Sequence, residues 1–300
     1  MTVETIAILM PGDMGHGCAL AFREHGFRVV TCLAGRSART RELAEAAKIE
    51  VLEGLEDVAR QADLVLSILP PEAALDQAQT VAKAMITADR RPAYADCNAI
   101  SPATARQVGE AVAAAGAVFI DAGIIGRNPV RELGGTRFYV SGPDLSAIEA
   151  LNERGVKVRG LGDEIGQASA MKMIYASATK GTFSLHAATL TVARAMDMTE
   201  PYLAELAESQ PAMLAAMERM VPRIPLDAAR WLSEMREIAA TFEAAGVTRK
   251  FHDGAADMME LAARTPIAKE TRETVDESRT LIDALDQYVA ALDEFHGIGN

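Results

Sequence analysis

Metal-ligand spacing is missing from this chain. Its three cysteines (Cys18, Cys32, Cys97) are odd in number, and its five histidines (His16, His25, His186, His252, His296) form no HxxxH or HxH pair. These absences argue against a disulfide framework and a zinc centre, and imply free buried thiols in a reducing cytoplasm. Long apolar runs are also lacking, so nothing reaches the ~20 residues of a membrane span. No signal peptide is expected, because Thr5-Ile6-Ala7-Ile8-Leu9 reads as a first strand beginning almost at once. Positive charge is scarce. Thirty Lys and Arg against 42 Asp and Glu leave a net charge of −12. That balance argues against nucleic acid or an anionic membrane as partner, while leaving room for a local phosphate pocket. Internal repeats and low-complexity tracts are absent as well.

What remains is an ordinary globular composition. With 300 residues, 49% hydrophobic and 24% charged, the chain suits two domains of ~150 residues, each with its own core. The first half alternates strands and helices. A strand at 5–9 leads through Met10-Pro11-Gly12-Asp13-Met14-Gly15 into a helix at about 15–25, and Phe27–Leu33 is a second strand. Strand, glycine turn, helix and strand make the first unit of a dinucleotide-binding fold. In that reading Gly12 lets the backbone pass close to a pyrophosphate, Gly15 permits close helix–strand packing, and the helix N-terminal amides face the anion. Met10 stands where the first glycine of GxGxxG is usual, and Pro11-Gly12 suits a type II turn.

The end of the second strand bears on the cofactor. NAD sites place an acid there and NADP sites an arginine. Here Arg36, Ser37 and Arg39 precede the first acid, Glu42, and are positioned for charge-assisted bonds to a 2′-phosphate. NADP is therefore expected, with NAD as the alternative; the bland reading is a solvated start to a helix at 40–48. Further strands at 49–51, 63–69, 93–96, 118–121, 137–142 and 155–158 alternate with helices at 55–61, 72–85 and 103–115. Leu69-Pro70 and Asn98 follow two of these strands, at the ends where such folds bind ligands.

Past Gly162 only helices are expected, at about 164–196, 201–220, 226–246, 248–265 and 267–294. The domains are accordingly 1–162, a Rossmann domain with a mostly parallel sheet, and 163–300, an all-helical domain entered by a long helix. Asp163 is the expected N-cap of that helix. Lys172, Tyr175, Thr179 and Phe183 recur on one face, where a packing helix would carry aliphatics. A snorkelling surface lysine is the bland reading of Lys172. Leu203, Leu206, Met213, Leu214 and Met217 form a core or subunit-interface stripe.

These features in this order resemble the β-hydroxyacid dehydrogenase and 6-phosphogluconate dehydrogenase superfamily, in its phosphogluconate-dehydrogenase-like branch with a distinct helical C-terminal domain. Gly12-Asp13-Met14-Gly15 matches the end of GxGxMG. Asp96-Cys97-Asn98-Ala99-Ile100-Ser101-Pro102 is similar to the loop at the nicotinamide. Asp121-Ala122-Gly123-Ile124-Ile125-Gly126, with Gly135-Thr136, resembles the substrate loop, and Gly166 to Lys172 resembles the stretch that ends in the acid/base lysine. The chain departs from the pattern at Ile125-Gly126-Arg127 (Ser-Gly-Gly in the family), at Tyr175-Ala176 (Asn-Asn) and at Ala99 (Ser or Thr). Arg236-Glu237 weakly resembles a Lys-Asp pair near the cofactor.

The resemblance implies a homodimer that moves a hydride between NADP(H) and a small hydroxy acid, secondary alcohol or its carbonyl form. Lys172 would exchange the hydroxyl proton, which requires its site to depress an ordinary lysine pKa, and Tyr175 would bond the substrate or relay the proton. Asn98 and Ser101 would orient carboxamide and substrate. The backbone of Gly123, Ile124, Ile125 and Gly126, helped by Arg127, would hold the anionic end. Two alternatives stand beside this reading. One is C=N reduction of the imine-reductase type; the other is an NADPH-binding sensor without turnover.

Overall fold

Strand sequences such as Thr5–Ile8 (β1) and Leu64–Ser67 (β4) are apolar on both faces and fully buried, as strands covered by helices on two sides must be. The computed structural model describes residues 2–130 and 135–295. Among these, the chain divides into two compact units, 1–173 and 174–300.

The first unit is built on one eight-stranded sheet of order β3-β2-β1-β4-β5-β6-β7-β8. The other strands are Arg28–Cys32 (β2), Glu50–Leu52 (β3), Ala93–Asp96 (β5), Phe119–Ile125 (β6), Arg137–Ser141 (β7) and Lys157–Gly162 (β8). Every pairing is parallel except that of β6 with β7. Helices Asp13–Glu24 (α1), Ala38–Ala46 (α2), Leu55–Gln61 (α3), Ala74–Ala88 (α4), Pro102–Ala114 (α5) and Ser146–Glu149 (α6) supply the crossovers and cover. Alternate residues of one strand feed opposite cores. Ile6, Ile8, Leu64 and Leu66 join one cluster, while Ala7 and Val65 join the other with Tyr94 and Phe119. Each fully buried Ile or Leu contributes roughly 1.5–3 kcal/mol. The strand order turns back between β1 and β4, so the C-terminal ends of those strands open the crevice where such sheets take ligands.

Two expectations change here. Residues 122–125, read as loop, continue strand β6 and pair with β7 in the register Gly123 to Tyr139 and Ile125 to Arg137. Asp163 does not cap the next helix, Gln167–Ala176 (α7). Asp121 accepts the amides at its start instead. That link ties the beginning of α7 to the sheet, in the first of the two compact units.

The second unit is helical. A π-helical turn at Ser177–Gly181 leads into Thr182–Ala195 (α8), then Thr199–Ser209 (α9), Pro211–Met220 (α10), Ala228–Ala244 (α11), Lys250–Arg264 (α12) and Leu281–Phe295 (α13). Its core holds Leu190, Met217, Trp231, Met235, Ile238, Met259 and Tyr288. Of the expected stripe, Leu206 and Met217 are buried and Leu203, Met213 and Leu214 half-buried. The helix expected over 201–220 breaks at Gln210, whose φ of −140° leaves the helical region just before Pro211. The helix expected over 267–294 begins only at Leu281. Polar side chains before it bond nearby backbone, Thr274 accepting from the Thr271 amide and Asp276 from the Ser278 amide, which competes with helix formation.

Candidate active site

At the end of β1 the backbone folds back tightly. The Gly12 amide donates to the Met10 carbonyl at 2.8 Å, and the His16 amide donates to Gly12 at 2.8 Å to open α1. Gly12 has φ −75° and ψ −164°, so the turn is not the type II expected from Pro11-Gly12, which needs positive φ. A side chain at Gly12 would meet nothing within 4 Å, whereas a Cβ at Gly15 would sit 2.8 Å from the Met10 carbonyl oxygen. The two glycines thus serve different ends: Gly12 leaves open space, and Gly15 lets α1 press on β1. Asp13 and Met14 lie in the first turn, the electropositive end of the helix. Asn128, a residue that motif reading passed over, donates its side-chain amide to the Asp13 carbonyl. Gly17 makes room for it, since a Cβ there would overlap the Asn128 amide.

Beside this turn stands the end of β2. Ser37 caps α2, its hydroxyl accepting from the Thr40 amide at 3.2 Å. Its oxygen therefore already serves the fold. Arg39 reaches Asp13 at 3.3 Å and so joins the second strand's end to the glycine turn. Arg36 donates to the Gln77 side chain at 2.7 Å, while its Nε is buried without a hydrogen-bond partner. An orphaned guanidinium nitrogen is costly unless a further acceptor arrives.

The ends of β4 and β5 are pinned together by Asn98. Its side-chain oxygen accepts from the Leu69 amide at 2.5 Å, and its nitrogen donates to Ser67 at 3.1 Å and Asp96 at 2.8 Å. Expected at the carboxamide, the Asn98 side chain instead turns inward and fixes the approach to Leu69 and Pro70. Ser101, expected toward substrate, is 3% exposed and caps α5 through the Thr104 amide. Asp96 lies beside Asp121 in register, and burial pushes its carboxyl up to about 7, with the neighbouring Asp121 adding to the rise.

The second half of β6 carries the lysine. Asp121 is wholly buried and accepts five bonds, from the amides of Gly166, Ala168 and Ser169 and the hydroxyls of Ser141 and Ser169. Two residues on, a Cβ at Gly123 would fall 2.8 Å from the Lys172 Cβ and 2.9 Å from the Ala168 carbonyl oxygen. The Lys172 ammonium donates to the Ile124 carbonyl at 2.6 Å. Gly123, Ile124 and Ile125 are buried in the sheet, so they act as a platform for α7 rather than as an anion loop. Gly126 turns out of the strand with φ +116°, and Arg127 after it is exposed. Tyr175, one turn beyond Lys172, is 43% exposed. A π turn carries an extra residue, so the shared face expected to run on to Thr179 and Phe183 goes out of phase after Ala176.

That π turn holds a polar cluster of the helical unit which sequence spacing did not single out. Lys180 pairs with buried Glu234, which also accepts from Arg230 at 2.8 Å, and Lys180 lies 5.2 Å from the Trp231 ring centre. Burial lowers the Lys180 pKa against the opposing pull of Glu234. Ser177 and His252 meet at 2.9 Å. Among the described residues, no group of three His, Cys, Asp or Glu is placed to hold a metal ion, and no helix is long and apolar enough to cross a membrane.

Residues 5–153 match the family described as the NAD binding domain of 6-phosphogluconate dehydrogenase, and residues 193–262 match a domain of unknown function, DUF1932. Residues 5–153 are thus an NAD-binding domain of the 6-phosphogluconate dehydrogenase type. The fold is shared with hydroxyacid dehydrogenases. A conserved protein of unknown function, described as structurally similar to 3-hydroxyacid dehydrogenases, is 28% identical with TM-score 0.61, covering 86% of this chain and 97% of its own. The 3-hydroxyisobutyrate dehydrogenase of Mycobacterium tuberculosis, solved with L-serine, shares the fold at TM-score 0.67 and 19% identity, covering 88% and 95%. A reductive aminase from Aspergillus terreus, solved with NADPH, cyclohexanone and allyl amine, shares it at TM-score 0.54 and 19% identity, covering 95% and 99%.

Proposed function

We propose that this protein is an NADP(H)-dependent oxidoreductase of the 6-phosphogluconate dehydrogenase superfamily that interconverts a small hydroxy acid or secondary alcohol with its carbonyl form, with Lys172 as acid and base. One observation carries the reading. Gly12, Arg36 and Leu69 follow the C-terminal ends of β1, β2 and β4, where the strand order turns back, and Lys172 bonds the Ile124 carbonyl near the same end of β6. The chemistry of these residues fits a dinucleotide. Gly12 is open above the first turn of α1, and the unpartnered Nε of Arg36 asks for an acceptor such as a 2′-phosphate. Arg39, three residues on and paired with Asp13, would be a second cation for that anion, and Asp13 and Met14 offer helix N-terminal amides to a pyrophosphate.

When bound, the nicotinamide accepts or supplies the hydride. The chain's own work is to move a proton and hold the substrate. Lys172, anchored on the Ile124 carbonyl, presents an ammonium that donates to a forming alkoxide and takes the proton back in the reverse direction. A positioned group of this kind contributes ~10²–10⁴-fold. Tyr175 adds a phenol one turn away, and the exposed Arg127 offers a cation for a carboxylate end. Asn98, Ser101, Gly123, Ile124 and Ile125 act behind these groups, setting strand ends and helix position. A second copy covering the exposed side chains Leu185, Val192 and Met196 along α8 would make the homodimer.

Reduction of a C=N bond is the second reading, favoured by the exposed Tyr175 phenol. The test is NADPH oxidation with a panel of β-keto and aldehyde acids set against cyclic imines. Turnover on the acids supports the first reading, and turnover on imines alone supports the second. NADPH binding without turnover on any of them contradicts both and leaves a sensor.

A further inference from the structure

Strand β6 meets helix α7 at three successive heights. At the first, the Asp121 carboxylate takes the amides of Gly166, Ala168 and Ser169 at 2.8, 3.0 and 3.1 Å, so that one side chain serves as cap for a helix on another element. At the second, the bare Cα of Gly123 admits the Lys172 Cβ. At the third, the Ile124 carbonyl receives the Lys172 ammonium. The order along the strand matters, because the cap sets both the height and the rotation of the first helical turn. A residue on the second turn inherits both. Buried carboxylates are expensive, and one whose oxygens meet five donors is retained for what those donors are attached to. Ser141 from β7 and Ser169 from α7 itself complete the shell, so the carboxylate cannot swing without breaking a bond to either neighbour.

We infer that Asp121 is the positioning residue of the site: by capping α7 from within the sheet it fixes where Lys172 stands, and hence where the proton is delivered. This rests on the acid/base role proposed for Lys172, but its test needs no substrate, so the two fail separately.

The experiment is competitive acetylation of the full-length protein with limiting acetic anhydride, read by peptide mass spectrometry. Labelling of Lys172 is compared with that of exposed Lys83 and of half-buried Lys180 in the other unit. In Asp121→Ala the ratio of Lys172 to Lys83 should rise about fivefold, the factor expected for losing a buried hydrogen bond. The ratio of Lys180 to Lys83 should stay unchanged. Asp121→Asn keeps an acceptor oxygen for the helix amides and should return Lys172 labelling to within about twofold of wild type, well short of that loss. If the alanine variant does not fold, Ser169→Ala, which removes only the hydroxyl bond to Asp121, should still raise the Lys172 ratio. Unchanged Lys172 labelling in the variant that folds would overturn the inference. So would a parallel rise at Lys180, or an asparagine variant as reactive as the alanine one.

Discussion

The Cβ of Lys172 lies 2.8 Å from the point where a side chain on Gly123 would begin. No real Cβ contact is that short, so any residue but glycine at 123 must lift α7 from the sheet. Gly123→Ala should therefore cost about 1–3 kcal/mol of stability through overpacking and lower turnover through displacement of Lys172. Gly12→Ala is the matched control, since its Cβ meets nothing within 4 Å. It should leave the melting temperature in place and weaken only cofactor binding. Melting curves and NADPH titrations on the two variants check both halves.

Arg36 should decide which dinucleotide binds. Arg36→Ala removes a charge-assisted bond to the 2′-phosphate, worth about 10- to 100-fold in affinity. NADP binding should fall by that factor while NAD binding hardly moves, as titration of each would show. Equal losses for both dinucleotides would place Arg36 in the scaffold through its bond to Gln77.

Asp96 should make stability depend on pH in an unusual direction. Its folded pKa is raised to about 7, from an ordinary value near 4 in the unfolded chain, so the folded protein holds this proton more tightly. The stabilisation is full below pH ~4, declines as pH rises to ~7, and is gone above that; the span is on the order of 4 kcal/mol. Denaturant unfolding of wild type and Asp96→Asn across pH 4–8 isolates the effect as a difference. The wild type should lose stability relative to the variant as pH rises, and a flat difference would contradict the burial argument.

Much of the sheet was legible because its signals are local. Leu55–Gln61 and Ala93–Asp96 fall where apolar runs and turn residues put them. Gly12 and Gly15 announced a strand–turn–helix, and their order in the motif also told which leaves space and which packs. Partnerships across the chain were not legible. Asp121 and Gly166 are 45 residues apart, and no spacing rule links a strand carboxylate to a distant helix start. Asn98 and Ser101 looked like ligand groups because polar residues at strand ends often are. Their hydrogen bonds instead go to Leu69 and Thr104, close to the strand ends they stabilise. The break between 270 and 280 was hidden for another reason. Its Thr, Glu and Asp residues tolerate a helix until their side chains capture the backbone.

The most direct test of the account is the turnover of Lys172→Ala on the carbonyl acid that wild type reduces best, measured beside NADPH affinity. The account predicts a loss of at least about 10²-fold in kcat with cofactor affinity nearly unchanged. A variant that turns over at close to the wild-type rate would contradict it.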